Sequence, residues 1–166
     1  MNIGSPPPAW AWDARIAVFP TAPGVDEYLA LPQAELARRA GEYADRGVNF
    51  VNATVLFHAR FDWIERFDDI AEITRRITEA CHQAGMRVFE HHSSNLTHKA
   101  GYMTYHGWNP LDALAVDIRT GIPTGQYGSS AACFLCINNP GYKEAYDRYV
   151  CDFIAKTGVD GLMYDD

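Results

Sequence analysis

Two adjacent carboxylates, Asp165 and Asp166, close the sequence directly after the short apolar run Gly161-Leu162-Met163-Tyr164. A strand that hands an acid to its carboxyl end is one half of the pair glycoside hydrolysis needs, in which one carboxyl protonates and another acts as nucleophile or base. A second polar cluster, Glu90-His91-His92-Ser93-Ser94-Asn95, follows the apolar run Met86 to Phe89, and a third, with His58, Arg60 and Asp62, follows Val48 to Phe57. Further on, Trp108, Tyr102, Tyr105 and Tyr127 offer flat apolar faces to a pyranose ring, with His106 and Asn109 as hydrogen-bonding neighbours. The expected site has Asp165 and Asp166 as its candidate catalytic carboxylates, with neither preferred by strand parity. His58, Glu90, His91, His92 and Trp108 are expected to line an oligosaccharide or glycoside substrate.

Other chemistries find less support. His91, His92 and Asp166 could ligate a metal in a barrel hydrolase, but such barrels bring a His-x-His from their first strand and Ile16 to Phe19 holds no histidine; no metal is assigned. A Ser-His-Asp triad lacks the G-x-S-x-G elbow. The residues after the first apolar run, Pro20-Thr21-Ala22-Pro23-Gly24, contain neither a dinucleotide nor a Walker phosphate loop, so no nucleotide cofactor is expected. Cys133 and Cys136 form a lone C-x-x-C, and with Cys81 and Cys151 they are expected to be buried as small apolar residues rather than paired. A formal net charge of −7 disfavours a nucleic-acid partner. No apolar run approaches the roughly 20 residues of a membrane span. Without a basic, then apolar, leader, a cytoplasmic location is expected unless the N-terminus is incomplete.

The elements that must position these residues alternate in type. Residues 1–13, with Pro6-Pro7-Pro8, are expected to form an extended arm whose Trp10 and Trp12 pack on the domain of residues 14–166. Ala14 to Phe19 reads as a first strand and Pro32 to Arg46 as a helix, closed by Gly47. Val48 to Phe57 is a second strand, rich in β-branched and aromatic residues. Asp68 to Ala84 is a helix with Ile70, Ile73, Ile77, Ala80, Cys81 and Ala84 as its apolar stripe. Met86 to Phe89 is a third strand. About forty residues of weak periodicity follow, Leu96 to Asn138, a length that suits a binding loop. Asn139-Pro140 then opens a helix with Tyr142, Ala145, Tyr146, Tyr149, Val150, Phe153 and Ile154 inward; Gly158 caps it, and Gly161 to Tyr164 is the fourth strand. This β-α-β-α-β-loop-α-β order predicts an α/β fold with a parallel sheet. It fits either a doubly wound sheet or the first half, strands one to four, of a (β/α)8 barrel. Polar residues gather after the strands while the helix-to-strand links are brief Gly turns, and in both architectures ligands bind at the strands' carboxyl ends.

With the strand ends placed, the chain resembles the N-terminal half of a (β/α)8 glycoside hydrolase, nearest to the α-L-fucosidase-like group (glycoside hydrolase family 29) and its relatives. The likeness rests on Cys136-Ile137-Asn138-Asn139-Pro140-Gly141-Tyr142, similar to an N-N-P-x-Y helix start, and on Gly158-Val159-Asp160-Gly161-Leu162-Met163-Tyr164-Asp165, similar to a G-x-D-G-[apolar]2-[aromatic]-D strand four. Phe57-His58 with Asp62 is similar to the end of strand two, and His92-Ser93 stands where an aromatic-Ser pair follows strand three. The resemblance implies a retaining glycosidase with Asp165 as nucleophile. Strand one ends Phe19-Pro20-Thr21 without the His-Trp pair of fucosidases, His91-His92 replaces aromatic residues and Asp166 replaces a glycine. A whole barrel takes about 250 residues. The chain is therefore expected to be an inactive portion with an open sheet edge, its general acid on a later strand. The alternatives are a non-catalytic carbohydrate-binding half-barrel completed as a homo-oligomer, and the metal-dependent barrel hydrolase above.

Overall fold

The computed structural model describes Pro6 and residues 9–19, 24–53, 66–93, 96–97, 106–123 and 133–165, with backbone alone at 10, 92–93, 96–97 and 164–165. Its sheet has four parallel strands in the order β1 (Ile16–Val18), β2 (Phe50–Asn52), β3 (Arg87–Ser93), β6 (Gly161–Asp165). Between them run α1 (Val25–Ala30) and α2 (Gln33–Asp45), then α3 (Phe67–Gln83), then α4 (Pro140–Thr157). Neighbours in the sheet are thus successive in the chain, with a helix in every crossover, and the order contains no reversal of the kind a doubly wound sheet requires. Crossovers of one hand stack their helices on one face of such a sheet. Accordingly α3 packs against both α2 and α4, and against β3.

The sequence dictates the helices through their stripes and ends. On α3, Ile70, Ile73, Ile77, Ala80 and Cys81 are buried at helical spacing, while Arg75 bonds Glu72 on the opposite, solvated side. On α4 the Asn139 side chain accepts the Tyr142 N–H at 3.0 Å, Pro140 occupies a position whose N–H has no partner in any helix, and Gly158 turns left-handed at φ 68° to end it. The apolar faces meet the sheet in one core: Val51, Ala53, Val88 and the half-buried Leu162 from the strands, with Tyr28, Leu36, Ile70, Ile73, Ile77 and Phe153 from the helices. Two polar clasps fix its margins. Arg76 donates to the carbonyls of Leu29 (3.1 Å) and Leu31, satisfying the otherwise open end of α1. Asp160 accepts the Val88 N–H at 2.7 Å and pairs with His82 at 2.9 Å, holding the start of β6 to the start of β3. Burial opposes its charge, but those two bonds and Arg87 hold its carboxyl below the usual range.

Several expectations change. The third strand extends from Arg87 to Ser93 because β6 pairs with it along Phe89 to Ser93. A short helix, α1, fills the stretch between the expected first strand and the helix expected from Pro32. The stretch from Leu96 to Asn138 is not structureless: β4 (Leu96–Thr97) pairs antiparallel with β5 (Cys133–Phe134), and a 3-10 turn spans Pro110–Ala113. Its Ala113 and Leu135 join Tyr142 and Tyr149 of α4 in a second core, which Trp108 and Tyr146 also meet. At the N-terminus, Ala9–Asp13 is a 3-10 turn rather than an extended arm, and Trp12 is 78% exposed instead of packed. Ile154 is likewise exposed. Of the cysteines only Cys81 is buried, its thiol pushed up to about 12 by that burial; Cys133 and Cys136 are half-buried, Cys151 is exposed, and none of the four is in a disulfide. No described helix is long and apolar enough to cross a membrane.

Candidate active site

Side chains on a strand alternate between its two faces, and register neighbours share a face. Ala17, Val51 and Val88 are register partners, and Val51 and Val88 lie in the core. Ala53 and Leu162 continue that helix-facing side. The other face carries Ile16, Val18, Phe50, Asn52, Phe89, His91 and Met163. The 4.9 Å contact between the Phe50 and Phe89 rings agrees with this division. Ile16, Val18 and Met163 there are 61%, 55% and 40% exposed, values foreign to the middle of a finished core.

At the carboxyl end of this open face the register sets position 91 beside 163 and position 93 beside 165. Two adjacent strands therefore bring His91 and the backbone of Asp165 to the same edge. Asp165 is the last paired residue of β6, so an acid there stands at the sheet rim, where parallel sheets bind ligands. Asp166 and His58 lie outside the described residues, as do Tyr102, Tyr105 and Tyr127.

Glu90 differs from its expected role. It is 0% exposed, and its register partner is Leu162, on the helix-facing side. It therefore occupies the sheet–helix interface rather than a substrate-lining position, because the strand continues through it instead of ending before it. Burial holds its carboxyl well above the usual carboxylate range. Position 92 has the same parity as Glu90, opposite to His91. Trp108 is half-buried and meets Tyr142 of α4, with ring centroids 6.4 Å apart, so its described neighbours lie on α4 and not on the open face.

One residue of this face escaped the sequence reading. Asn52 lies at the centre of the open side, level with Val18 and Phe89, and is buried. An amide set between Val51 and Ala53, in the interior of the expected strand Val48 to Phe57, was the available signal. Among the described residues no group of three or more His, Cys, Asp or Glu comes together as a metal centre requires.

No family model and no curated protein matches the chain. Solved structures do. A maltogenic α-amylase from Thermotoga neapolitana superposes with a TM-score of 0.58 at 17% identity, over 91% of this chain and 38% of its own. A mutant pullulanase from Paenibacillus barengoltzii complexed with maltotriose gives 0.60 at 12%, over 98% of this chain and 32% of its own. The α-galactosidase from Thermus thermophilus, in complex with p-nitrophenyl α-D-galactopyranoside, gives 0.56 at 15%, over 90% and 30%. The chain spans about a third of the length of these structures. Its parallel sheet with helices is a fold it shares with glycoside hydrolases.

Proposed function

We propose that the chain supplies strands one to four of a (β/α)8 barrel in a retaining glycosidase, with Asp165 as the nucleophile. The observation that carries this reading is the register of β6 on β3, which sets position 165 at the carboxyl end of the face turned away from the helices. The unreversed strand order and the exposed Ile16, Val18 and Met163 add support, since a barrel interior is closed by strands beyond these four. In the mechanism, a carboxylate oxygen of Asp165 attacks the anomeric carbon as the bond to the leaving oxygen breaks. A second carboxyl, about 5–5.5 Å away in retaining enzymes, protonates that oxygen and later activates the water that hydrolyses the glycosyl ester. This acid belongs to the barrel's other half. His91 and Asn52 line the same face as hydroxyl-binding groups. For the sugar, the segment likeness favours an α-L-fucosidase-like or galactosidase-like enzyme, and the outer edges of β1 and β6, which pair with no further strand among the described residues, equally suit a carbohydrate-binding half-barrel that closes on a second copy.

A glycosyl fluoride tests the nucleophile independently of any general acid, because fluoride departs unprotonated. The C1–F bond breaks, a bond from C1 to the carboxylate oxygen forms, and fluoride leaves. Incubating the 166-residue chain with α-L-fucosyl, α-D-galactosyl and α-D-glucosyl fluoride should give a glycosyl adduct on the peptide holding Asp165, absent in Asp165→Asn. An adduct on another residue, one that survives the substitution, or none from any of the three sinks the assignment.

A further inference from the structure

Beside α4, outside the sheet, lies an open cavity of about 280 Å3 lined by His106, Trp108, Gly141, Glu144, Ala145 and Arg148. It sits near the lower end of small-molecule sites, about 300–1,000 Å3, which suits a ligand of one ring rather than a chain. No sheet residue contributes to it.

Its parts have definite chemistry. Glu144 and Arg148, one turn apart on α4, form an ion pair at 3.3 Å, so the cavity presents a donor fork next to an acceptor with no net charge. An anion would meet Glu144, and a cation would meet Arg148. His106 Nε2 lies 3.6 Å from a carboxylate oxygen of Asp152, which ties the cavity's His106 edge to α4. Adjacent hydroxyls on a ring match the pair, one accepting from Arg148 while the next donates to Glu144. Trp108 contributes an indole to the wall, an apolar surface for the C–H face of such a ring. Gly141 makes that placement possible: a Cβ there would stand 3.2 Å from Trp108 Nε1 and 3.2 Å from Asn139 Oδ1. The His106-Gly107 turn, left-handed at both residues (φ 48° and 84°), brings the chain back onto α4.

We propose that this cavity is a binding site for a neutral polyhydroxylated ring, such as a hexopyranose, separate from the open face of the sheet. It does not depend on Asp165 or on the barrel reading.

The test is a titration of the 15N-labelled chain with methyl α-D-glucopyranoside, read at the Trp108 indole N–H and the Gly141 and Ala145 amides. Saturable shifts with half-saturation in the millimolar range are expected, weakened about tenfold or more in Arg148→Met and in Glu144→Gln, and unchanged in Asp165→Asn. Thermal melts of both cavity variants check folding; should Arg148→Met melt early, the more exposed Glu144→Gln decides. Absence of saturable shifts at these resonances overturns the proposal. So does saturation by sodium acetate or ammonium chloride but not by the glycoside, or a response confined to the rim amides of His91, Ser93, Met163 and Asp165.

Discussion

Replacing Glu90 by Gln removes an ionisable group from a site that is 0% exposed, between Ala53 and Leu162 and under the helix layer. Burial favours the protonated acid, so its folded-state pKa lies well above the usual value. The unfolded chain releases this proton at about pH 4.3. Between that pH and the raised folded value the native state holds one proton more than the unfolded state. Stability therefore falls as pH rises, by about 1.4 kcal/mol per unit from this group alone. Gln keeps the shape and carries no proton, so its chain lacks this slope. Near pH 4 the two proteins should differ little. Above it the variant should gain on the parent by about 1.4 kcal/mol per unit, or about 3–6 °C in melting temperature for a chain of this size. Parallel urea titrations of both proteins from about pH 4 to about pH 8 measure the difference, and subtraction cancels every other titrating group. A difference that stays flat between about pH 5 and pH 7, or moves in the parent's favour, refutes the placement of Glu90 in the sheet–helix interface.

Phe153, 2% exposed and packed on Phe67 and Tyr149, should cost about 3–5 kcal/mol when cut to Ala, read by denaturant unfolding. Asp160→Ala leaves the Val88 N–H without its 2.7 Å acceptor and should cost about 1–3 kcal/mol at neutral pH. Because the folded-state pKa of Asp160 is depressed, that gap should close as pH falls through it, and a gap that widens in acid would contradict the clasp. Asn139→Ala removes the cap on Tyr142 N and should lower stability by about 1 kcal/mol without touching the sheet's amide exchange. Gly141→Ala should displace the indole of Trp108, seen as a shift of its Nε1–H resonance, whereas an unmoved resonance would deny the close approach.

The helices were legible wherever a stripe and a cap coincide. Asn139-Pro140 and Gly158 bound α4 as read, and Ile70, Ile73, Ile77 and Cys81 form the buried side of α3. The second core was not legible, because Ala113, Leu135, Tyr142 and Tyr149 meet across distant segments and share no period. Glu90 shows how a boundary error becomes a functional one. Ending β3 at Phe89 leaves 90 to 92 as loop residues free to face a ligand, whereas pairing with β6 to Ser93 imposes alternation and turns 90 inward. His91, at the intervening parity, keeps its place on the open face. Trp108 was read from its residue type alone, and type does not say which surface an aromatic side chain will cover.

The central claim is that glycosides bind at the carboxyl rim of the open sheet face, where β3 and β6 end side by side. Amide chemical shifts of the 15N-labelled chain in a maltotriose titration measure this most directly. The predicted result is saturable shifts clustered at His91, Ser93, Met163 and Asp165, with the Val88 amide of the Val88–Asp160 clasp unchanged. Shifts at the strands' opposite ends, around Arg87 and Gly161, with none at the rim, would contradict it.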